Sequence, residues 1–260
     1  MQTTKSIPAI ERAFAMLEAL DNSSQSMNIA ELSRKLDIPR SSAHSIALTL
    51  ERCGYVTRDA SGRNCMLSMK AYRLGREAAP AGHLADAAFR PMKALSTATQ
   101  LTAHLAVLDR DQAVYVQKVQ GLSLLRFDTH IGKRTNLHCT GVGKVLLSYA
   151  SQSYQEKYLK QAPFARYTRN TITTASALRR EIAKIVKQAF ALDDQEEELD
   201  VRCLAVPVVS ARGEFIAALS VSGSVAQLQD DWLPAGIDLL QKTARQIKPL
   251  SGLDMTRDAS

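Results

Sequence analysis

The fold of the N-terminal part of the chain is decided by residues 30–45, AELSRKLDIPRSSAHS. Asn28 lies just ahead of this stretch, and Glu31 follows three positions later, which is the spacing of a capping box at a helix start. The turn Asp37–Pro39 ends that helix. A further helix begins directly after the turn and ends at Gly54, a residue type that favours the left-handed C-terminal conformation. The stretch therefore predicts two helices joined by a short turn.

The sequence on either side completes a small domain. Ahead of the stretch, apolar residues recur at helical spacing: Ile10, Phe14, Leu17 and Leu20. After it, the extended runs Tyr55–Arg58 and Cys65–Met69 flank a turn at residues 59–62. Two helices joined by a short turn and followed by a hairpin form a winged helix-turn-helix. We therefore predict such a DNA-binding domain over residues 1–69, with the helix after the turn in the major groove.

The outward face of that helix carries the residues expected to contact DNA. They are small, polar or basic, which suits close approach to base edges and phosphates: Arg40, Ser41, Ser42, His44, Ser45 and Thr49 on the helix, with Arg58 and Arg63 beside the wing. The formal net charge is +7, and basic residues outnumber acidic ones within residues 34–63. A helical bundle with a solvated basic face would have the same pattern, so the pattern alone leaves both interpretations open.

The remainder of the chain predicts a connector and a second domain. Residues 70–88 favour a helical linker, interrupted at Pro80–Gly82, where a dimer could form. Residues 89–250 alternate amphipathic helices with antiparallel hairpins, which predicts an α+β effector-binding domain. The expected elements are helices at 89–98, 141–150, 178–189 and 234–247, hairpins at 102–119 and 203–222, and a strand at Leu124–Asp128. The tail, residues 251–260, is expected to be disordered.

Composition limits the compartment and the chemistry. No apolar run is long enough to span a bilayer, and the first residues lack the pattern of a signal peptide, so a cytoplasmic protein without a membrane partner is expected. The chain has four cysteines, and their scattered spacing favours buried free thiols over a disulfide framework.

A candidate ligand site begins at the predicted helix after residue 140. Thr140 can cap this helix, and Gly141 allows the backbone to approach another group closely. The unpaired N–H groups of Gly141 and Val142 at the helix start would favour a carboxylate. A cap without any ligand would explain Thr140 equally well.

Other polar residues of the second domain complete the candidate site. Ser220 and Ser222 alternate along one strand and therefore face the same side. With Cys203 and Asp193 they could bind a small oxygen-rich organic acid. Serines bonded to backbone and a solvated acidic run remain the simpler explanations of the same residues.

These motifs resemble the IclR family of bacterial transcription regulators over about residues 6 to 250. The resemblance rests on Ser6–Leu20, residues 30–36, residues 39–44, Gly54–Val56, Ile131–Arg134, Leu137–His138, Gly143–Lys144, Asp193 with Glu196, Cys203–Pro207 and Ala217–Gly223. It implies a GAF-like effector domain and dimers that pair into tetramers on palindromic or repeated operators. It also implies that the backbone at Gly141 and Val142 takes the carboxylate of an acid, and that Asp193, Cys203, Ser220 and Ser222 line the pocket.

Three departures from the family pattern qualify the resemblance. Ser45 replaces an arginine that often follows the histidine of the DNA-contacting helix, which puts contacts at this position in doubt. Asp200 and Arg202 occupy a stretch in which the family usually has glycine. Val142 stands where alanine is common and narrows the pocket slightly.

Other classes of function are weaker. The run Gly141–Lys144 is similar to a phosphate-binding loop, but His138 stands where the loop needs glycine, and no Ser or Thr follows the lysine. A metal site would have to use His138, Cys139 and Cys203. A sensor without a DNA role, or a small-molecule enzyme, remains the alternative. We predict a non-enzymatic regulator without cofactor or metal, whose partners are operator DNA, a small organic acid and further copies of itself.

Overall fold

The computed structural model of the chain describes residues 6–21, 23, 25–78, 80–122, 127–210 and 213–247. The chain divides into two compact units, residues 1–79 and residues 80–260. The predicted disordered tail lies outside the described residues. None of the helices in the described ranges is long and apolar enough to cross a membrane.

The first unit is a winged helix-turn-helix, as predicted. Its elements in chain order are α1 (Pro8–Asp21), β1 (Met27–Asn28), α2 (Ile29–Lys35), α3 (Arg40–Arg52), β2 (Val56–Arg58), β3 (Asn64–Leu67) and α4 (Met69–Ala78). The strands pair antiparallel in the order β1-β3-β2. The two-residue strand β1 was not predicted, because it is defined only by the pairing of Met27 with Cys65 and of Asn28 with Asn64.

Local chemistry defines the ends of α2 and α3. The Asn28 side chain accepts hydrogen bonds from the backbone N–H groups of Ala30 and Glu31, at 2.9 and 3.0 Å. The Glu31 carboxylate accepts from the Asn28 N–H at 2.9 Å, which confirms the predicted capping box. Gly54 has a φ of +81°, as expected for the residue that terminates α3.

The apolar residues of α1 divide between the core and the surface. Met16 and Leu20 pack with Leu32 of α2 in a buried cluster. Ile10 and Phe14 are 51 % and 62 % exposed instead. One side of α1 therefore presents an apolar surface that the described residues of the first unit do not cover.

The connector is interrupted next to Pro80, close to the predicted position. Helix α4 ends at Ala78 and helix α5 begins at Pro80 and continues through Gly82 to Thr99, so the two helices meet just ahead of residues 80–82 rather than within them. A proline is compatible with the first turn of a helix, because the N–H that it lacks has no partner there. The predicted helix at residues 89–98 is the second half of α5.

The second unit is an α/β domain built on one antiparallel sheet. After α5 its elements are β4 (Thr102–Asp109), β5 (Gln112–Val119), β6 (Arg134–Thr135), α6 (Gly141–Tyr149), α7 (Gln152–Leu159), α8 (Ala175–Gln188), β7 (Ala191–Asp194), β8 (Val201–Val209), β9 (Phe215–Ser224) and α9 (Leu233–Gln246). The strand order is β6-β5-β4-β9-β8-β7.

Both predicted hairpins are confirmed, as β4–β5 and β8–β9. Of the strand expected at Leu124–Asp128, residues 124–126 lie outside the described residues, and residues 127–128 form no strand. The acidic run begins with strand β7, which was not predicted. Its residues alternate between buried and half-buried, the period of a strand, but the run was interpreted from its charge alone.

The sheet has helices on both faces. One face packs against α5 and α9 through large aliphatic residues such as Leu105, Leu204 and Leu219. The other face lies under α6 and α8, where Ala106, Ala205 and Ala218 are small. The four cysteines are free thiols, but Cys53 is exposed at the end of α3, contrary to the prediction that all are buried.

Candidate functional site

Helix α3 separates its polar and apolar residues as the first candidate site requires. Its inner side packs through Ala43, Ala47 and Leu50. Its outer side is exposed at most of the positions expected to contact DNA: Arg40, Ser41, His44, Ser45 and Thr49 are exposed, and Ser42 is half-buried. The Thr49 hydroxyl donates to the backbone carbonyl of Ser45 at 2.8 Å, so part of its hydrogen-bonding capacity is used within the helix.

The wing places its two arginines differently. Arg58 Nε lies 3.1 Å from Glu51 Oε2, an ion pair that connects β2 to the end of α3. Arg63 is exposed next to the wing turn. Asp59 organises this turn, since hydrogen bonds from the Ser61 hydroxyl and from Asn64 lower the pKa of its carboxyl to about 2. Arg63 is therefore the more available cation of the two.

In the second unit, sheet register aligns four of the predicted pocket residues. Cys203 lies directly opposite Asp193 of β7 on one side and Ser222 of β9 on the other. In the neighbouring row, Ala205 lies opposite Ser220. Directly opposed residues of antiparallel strands point to the same face. The Cys203 thiol donates to the Ser222 hydroxyl at 3.1 Å, so these side chains form one polar patch.

Helix α6 begins directly over this patch. A Cβ added to Gly141 would lie 3.0 Å from the Cys203 carbonyl oxygen and 3.3 Å from the Ala205 Cβ, so glycine allows the helix to reach the sheet. The Thr140 hydroxyl accepts from the Gly143 N–H at 3.1 Å, which confirms the predicted cap. Among the described residues, no acceptor bonds to the N–H groups of Gly141 and Val142. These two donors can therefore bind an anion at the positive end of the helix.

Asp193 is a carboxyl group held largely uncharged. Its Oδ1 accepts from the Glu196 N–H at 2.8 Å. Burial raises the pKa of Asp193 to about 8, although nearby Lys144 acts in the opposite direction. At neutral pH the group is mostly protonated, so it can donate a hydrogen bond to a ligand oxygen.

Cys203 and Ser220 lie in neighbouring rows of the polar patch. Protein surrounds the side chain of Cys203, and this burial raises the pKa of the thiol well above its usual range. The residue nevertheless retains accessible surface. The Ser220 hydroxyl is buried in the adjacent row and has no hydrogen-bond partner among the described residues.

The sequence analysis missed Lys144, which is only 1 % exposed. Its ammonium donates to the Leu192 carbonyl oxygen at 2.7 Å and pairs with the carboxylates of Glu196 and Glu181. The sequence contained a signal for a buried, paired lysine. Apart from Lys144, residues 137–147 are mostly apolar, which is the pattern of a helix buried on all sides. A lysine in such a helix must be paired with an opposite charge.

His104 of β4 was missed as well. It lies directly opposite Ser220 and is 2 % exposed. Its Nε2 lies 2.8 Å from the Thr129 hydroxyl, and burial lowers the pKa of the imidazole to about 3, so the ring is neutral. The neighbouring Lys118 donates to the carbonyl oxygens of Phe127 and Thr129 at 3.0 and 2.7 Å, which holds residues 127–129 beside the histidine.

His138, one of the residues considered for a metal site, lies elsewhere. Its ring stacks on Phe164 with a centroid distance of 5.1 Å, and its Nε2 is 3.0 Å from the Ala165 carbonyl oxygen. It thus helps to anchor the segment after α7.

Comparison with known proteins finds matches along nearly the whole chain. The IclR helix-turn-helix domain matches residues 9–60, and the family described as "Bacterial transcriptional regulator IclR C-terminal" matches residues 77–249. The HTH-type transcriptional regulator KdgR of Escherichia coli (strain K12) is 31 % identical over 247 residues, which cover 95 % of this chain and 94 % of KdgR.

Solved structures agree with these matches. The Thermotoga maritima IclR crystal structure superposes with a TM-score of 0.77 at 26 % identity, covering 93 % of this chain and 98 % of that one. The inducer-binding domain of PobR from Acinetobacter, a double mutant in complex with 3-hydroxybenzoic acid, gives a TM-score of 0.58 at 29 % identity. That match covers 63 % of this chain and 96 % of the PobR domain.

Proposed function

This chain belongs to the IclR family of bacterial transcriptional regulators, and we propose that a small organic acid controls its binding to a specific operator in double-stranded DNA. The observation that carries the proposal is the start of α6. Two free backbone donors there face a buried polar patch of the sheet. The acid-bound PobR domain is a relative in which an acid occupies the corresponding kind of domain.

In this proposal the outer face of α3 enters the major groove. Arg40, Ser41, Ser42, His44, Ser45 and Thr49 approach base edges and phosphates there, and Arg63, with Arg58 in a lesser role, contacts the flanking backbone. The exposure of α3 supports this assignment. The pairing of Arg58 with Glu51 is the reason for its lesser role.

The acid binds with its carboxylate at the N–H groups of Gly141 and Val142. Ser220, Ser222, Cys203 and the protonated Asp193 bond to its remaining oxygens. Because these groups are buried and carry little net charge, they select a ligand by its hydrogen-bonding pattern. We assign residues 1–69 to DNA binding, 70–88 to a helical linker and 89–250 to effector binding.

We infer that the active species is a dimer, which can pair into a tetramer. Exposed apolar residues in the first unit support self-association: Ile7, Ile10 and Phe14 of the α1 region and Met69 and Leu74 of α4. Two-fold symmetry then matches two operator half-sites. Coupling through the linker is of the usual size for allostery, about 1–3 kcal/mol, or roughly 5–150-fold in operator affinity.

We further infer that the protein is not an enzyme and acts in the cytoplasm, where its DNA target lies. Burial raises the pKa of the Cys203 thiol. A neutral thiol is a poor nucleophile, which supports a binding role for this residue rather than a covalent one.

The test is a fluorescence-anisotropy titration of the full chain on the intergenic DNA upstream of its own coding sequence and on a shuffled duplex, at two salt concentrations. We expect binding to the native duplex to be tighter by about 10³-fold or more, and to change when small organic acids are added. Equal, salt-sensitive binding to both duplexes would mean that the first unit binds DNA only nonspecifically, through its positive charge. If the protein binds neither duplex, the alternative function, a ligand-binding sensor without a DNA role, would be favoured.

A further inference from the structure

Positive charge is distributed unevenly along the chain. Residues 1–79, the first unit, contain eleven basic and eight acidic residues, a net charge of +3. Residues 156–187 of the second unit contain eight basic and two acidic residues, so this stretch alone has a net charge of +6, against +7 for the whole chain. The largest local excess of positive charge therefore lies outside the winged helix-turn-helix.

Six of these basic residues form an exposed surface on α7, on α8 and on the segment between the two helices. The inner sides of these elements pack together with α6 in one buried cluster, through residues such as Tyr158, Phe164 and Ile182. Their outer sides therefore point away from the sheet, and all six basic residues are exposed there. We call this surface the basic face, and its residues are Lys157, Lys160, Arg166, Arg169, Arg180 and Lys187.

The charge of the basic face is not neutralised within the described part of the chain. Its six cations form no ion pair with any residue that the structure describes. Of the two acidic residues in the stretch, Glu156 pairs with Arg179 at 2.7 Å. The other, Glu181, lies 3.5 Å from Lys144 and 4.0 Å from Lys184. Like charges that lie close together repel each other and destabilise the fold, and an anionic partner would offset this repulsion.

The composition of the basic face fits a phosphate backbone better than a protein surface. Protein–protein contacts depend on a few large side chains, often aromatic, that are buried at their centre. Within residues 156–187, all of which the structure describes, the large apolar side chains that are exposed are Tyr167 and Val186. Helix α8 has 14 residues and is about 20 Å long, so a duplex lying along it would present several phosphates to the face.

We propose that the basic face of the second unit binds the sugar-phosphate backbone of duplex DNA outside the stretch that α3 reads. The inference rests on the proposed function, because the first unit holds the DNA and so gives the second unit a high local concentration of it. Contacts with phosphates carry no information about base sequence. They add affinity and make binding more dependent on salt, because each neutralised phosphate releases counterions.

The experiment is a fluorescence-anisotropy titration of the full chain on two duplexes over a range of salt concentrations. The short duplex is the operator core that footprinting of the upstream DNA defines. The long duplex is the same core with about 30 base pairs of arbitrary sequence, or three helical turns, added on each side. We expect the slope of log affinity against log salt concentration to be steeper on the long duplex by at least about two.

Two triple variants remove the same formal charge from opposite sides of the sheet. The basic-face variant combines Lys157→Gln, Arg180→Gln and Lys187→Gln. The control variant combines Arg90→Gln, Lys93→Gln and Arg245→Gln, at exposed positions of α5 and α9. All six side chains are exposed, so both variants should fold.

The two variants should differ only on the long duplex. There we expect the basic-face variant to lower the salt slope by about two to three and to weaken binding by about ten-fold or more at about 0.1 M salt. Its affinity for the short duplex should stay within about two-fold of the wild type, because the contacts of the first unit are unchanged. The control variant should match the wild type on both duplexes.

The outcomes separate this inference from the function on which it rests. Equal salt slopes of the wild type on the two duplexes, or equal effects of the two variants, would show that the basic face does not bind DNA, while operator recognition stands. If the core binds no more tightly than a shuffled duplex, operator recognition fails, and a slope lowered only by the basic-face variant would still place DNA on this face.

Sedimentation velocity of the same proteins tests the other possible occupant, a second copy of the chain. We expect the wild type and the basic-face variant to have the same molar mass. A lower mass of the basic-face variant, together with an unchanged salt slope, would assign the face to self-association and overturn the proposal.

Discussion

Helices α3 and α6 carry the two candidate sites and place their polar groups in opposite environments. Helix α3 exposes its polar residues, and its cation Arg40 lies in solvent. Helix α6 is buried from Gly141 to Ser148 and holds its cation, Lys144, in an internal ion-pair cluster. Exposed charge acts on a polyanion at long range and is screened by salt, whereas buried neutral groups select a small ligand by direct contact. One chain thus separates an electrostatic site from a hydrogen-bonding site.

The largest effect is expected from removal of the buried cation, Lys144. Lys144→Met leaves Glu196 and Glu181 without their partner inside the protein. We expect the free energy of unfolding to fall by about 3–5 kcal/mol, as is usual when one member of a buried ion pair is lost. Urea unfolding followed by circular dichroism measures it.

Lys184→Met is the control for this change. Lys184 also approaches Glu181, at 4.0 Å, but its side chain is 63 % exposed, so its loss should change stability very little. Equal effects of the two substitutions would contradict the view that burial gives Lys144 its importance.

The next largest effect is a pH dependence of stability caused by Asp193. Its pKa is raised from 3.8 to about 8 on folding, so the folded state binds the proton more tightly than the unfolded state. Between these two values, a rise in pH therefore destabilises the fold, by at most about 1.4 kcal/mol per pH unit. Asp193→Asn should remove this dependence.

The measurement is the unfolding free energy of wild type and variant between pH 5 and pH 8, in steps of about one unit. The wild type should lose stability relative to Asp193→Asn as pH rises. Asp238→Asn, an exposed substitution on α9, should run parallel to the wild type. A wild type that gains stability over this window relative to Asp193→Asn would show that the carboxyl is ionised in the fold.

A smaller effect is expected at the exposed site. Arg40→Ala should weaken operator binding about ten-fold. It should also reduce the slope of log affinity against log salt concentration by about one. Arg179→Ala, which removes an equally exposed positive charge from α8, should change neither quantity appreciably. Anisotropy titrations over a range of salt concentrations measure both, and an unchanged salt slope in Arg40→Ala would exclude this residue from the interface.

The smallest effect is expected from a single buried hydroxyl. Ser220→Ala should weaken effector binding by a few-fold to ten-fold, the value of one hydrogen bond of about 0.5–1.5 kcal/mol, and leave ligand-free DNA binding unchanged. Ser148→Ala is the matched control, since its buried hydroxyl donates to the Lys144 carbonyl oxygen within α6. A parallel loss of DNA and effector binding in Ser220→Ala would mark Ser220 as structural.

The sequence predicted local features well. The capping box at Asn28, the helix end at Gly54, the cap at Thr140 and both hairpins depend on residues close together in the chain, and the structure confirms them. The α+β class and the IclR family are confirmed as well. The break expected at Pro80–Gly82 lies just ahead of Pro80 instead, because a proline is well suited to the first turn of the helix that follows a break.

Features that depend on sheet register could not be predicted. His104 comes to lie beside Ser220 only through the pairing of β4 with β9, whose residues are more than a hundred positions apart. The single sequence contains no signal for that partnership. The exposure of Cys53 could not be predicted from the sequence either. The thiol lies in solvent because of its position at the end of α3.

The two outermost strands of the six-stranded sheet are short, with two residues in β6 and four in β7. Edge strands this short offer little length to which a strand of another molecule could add, which is one of the ways in which proteins limit edge-to-edge association. The dimer proposed above would then form through side-chain surfaces such as the apolar side of α1 rather than through added strands.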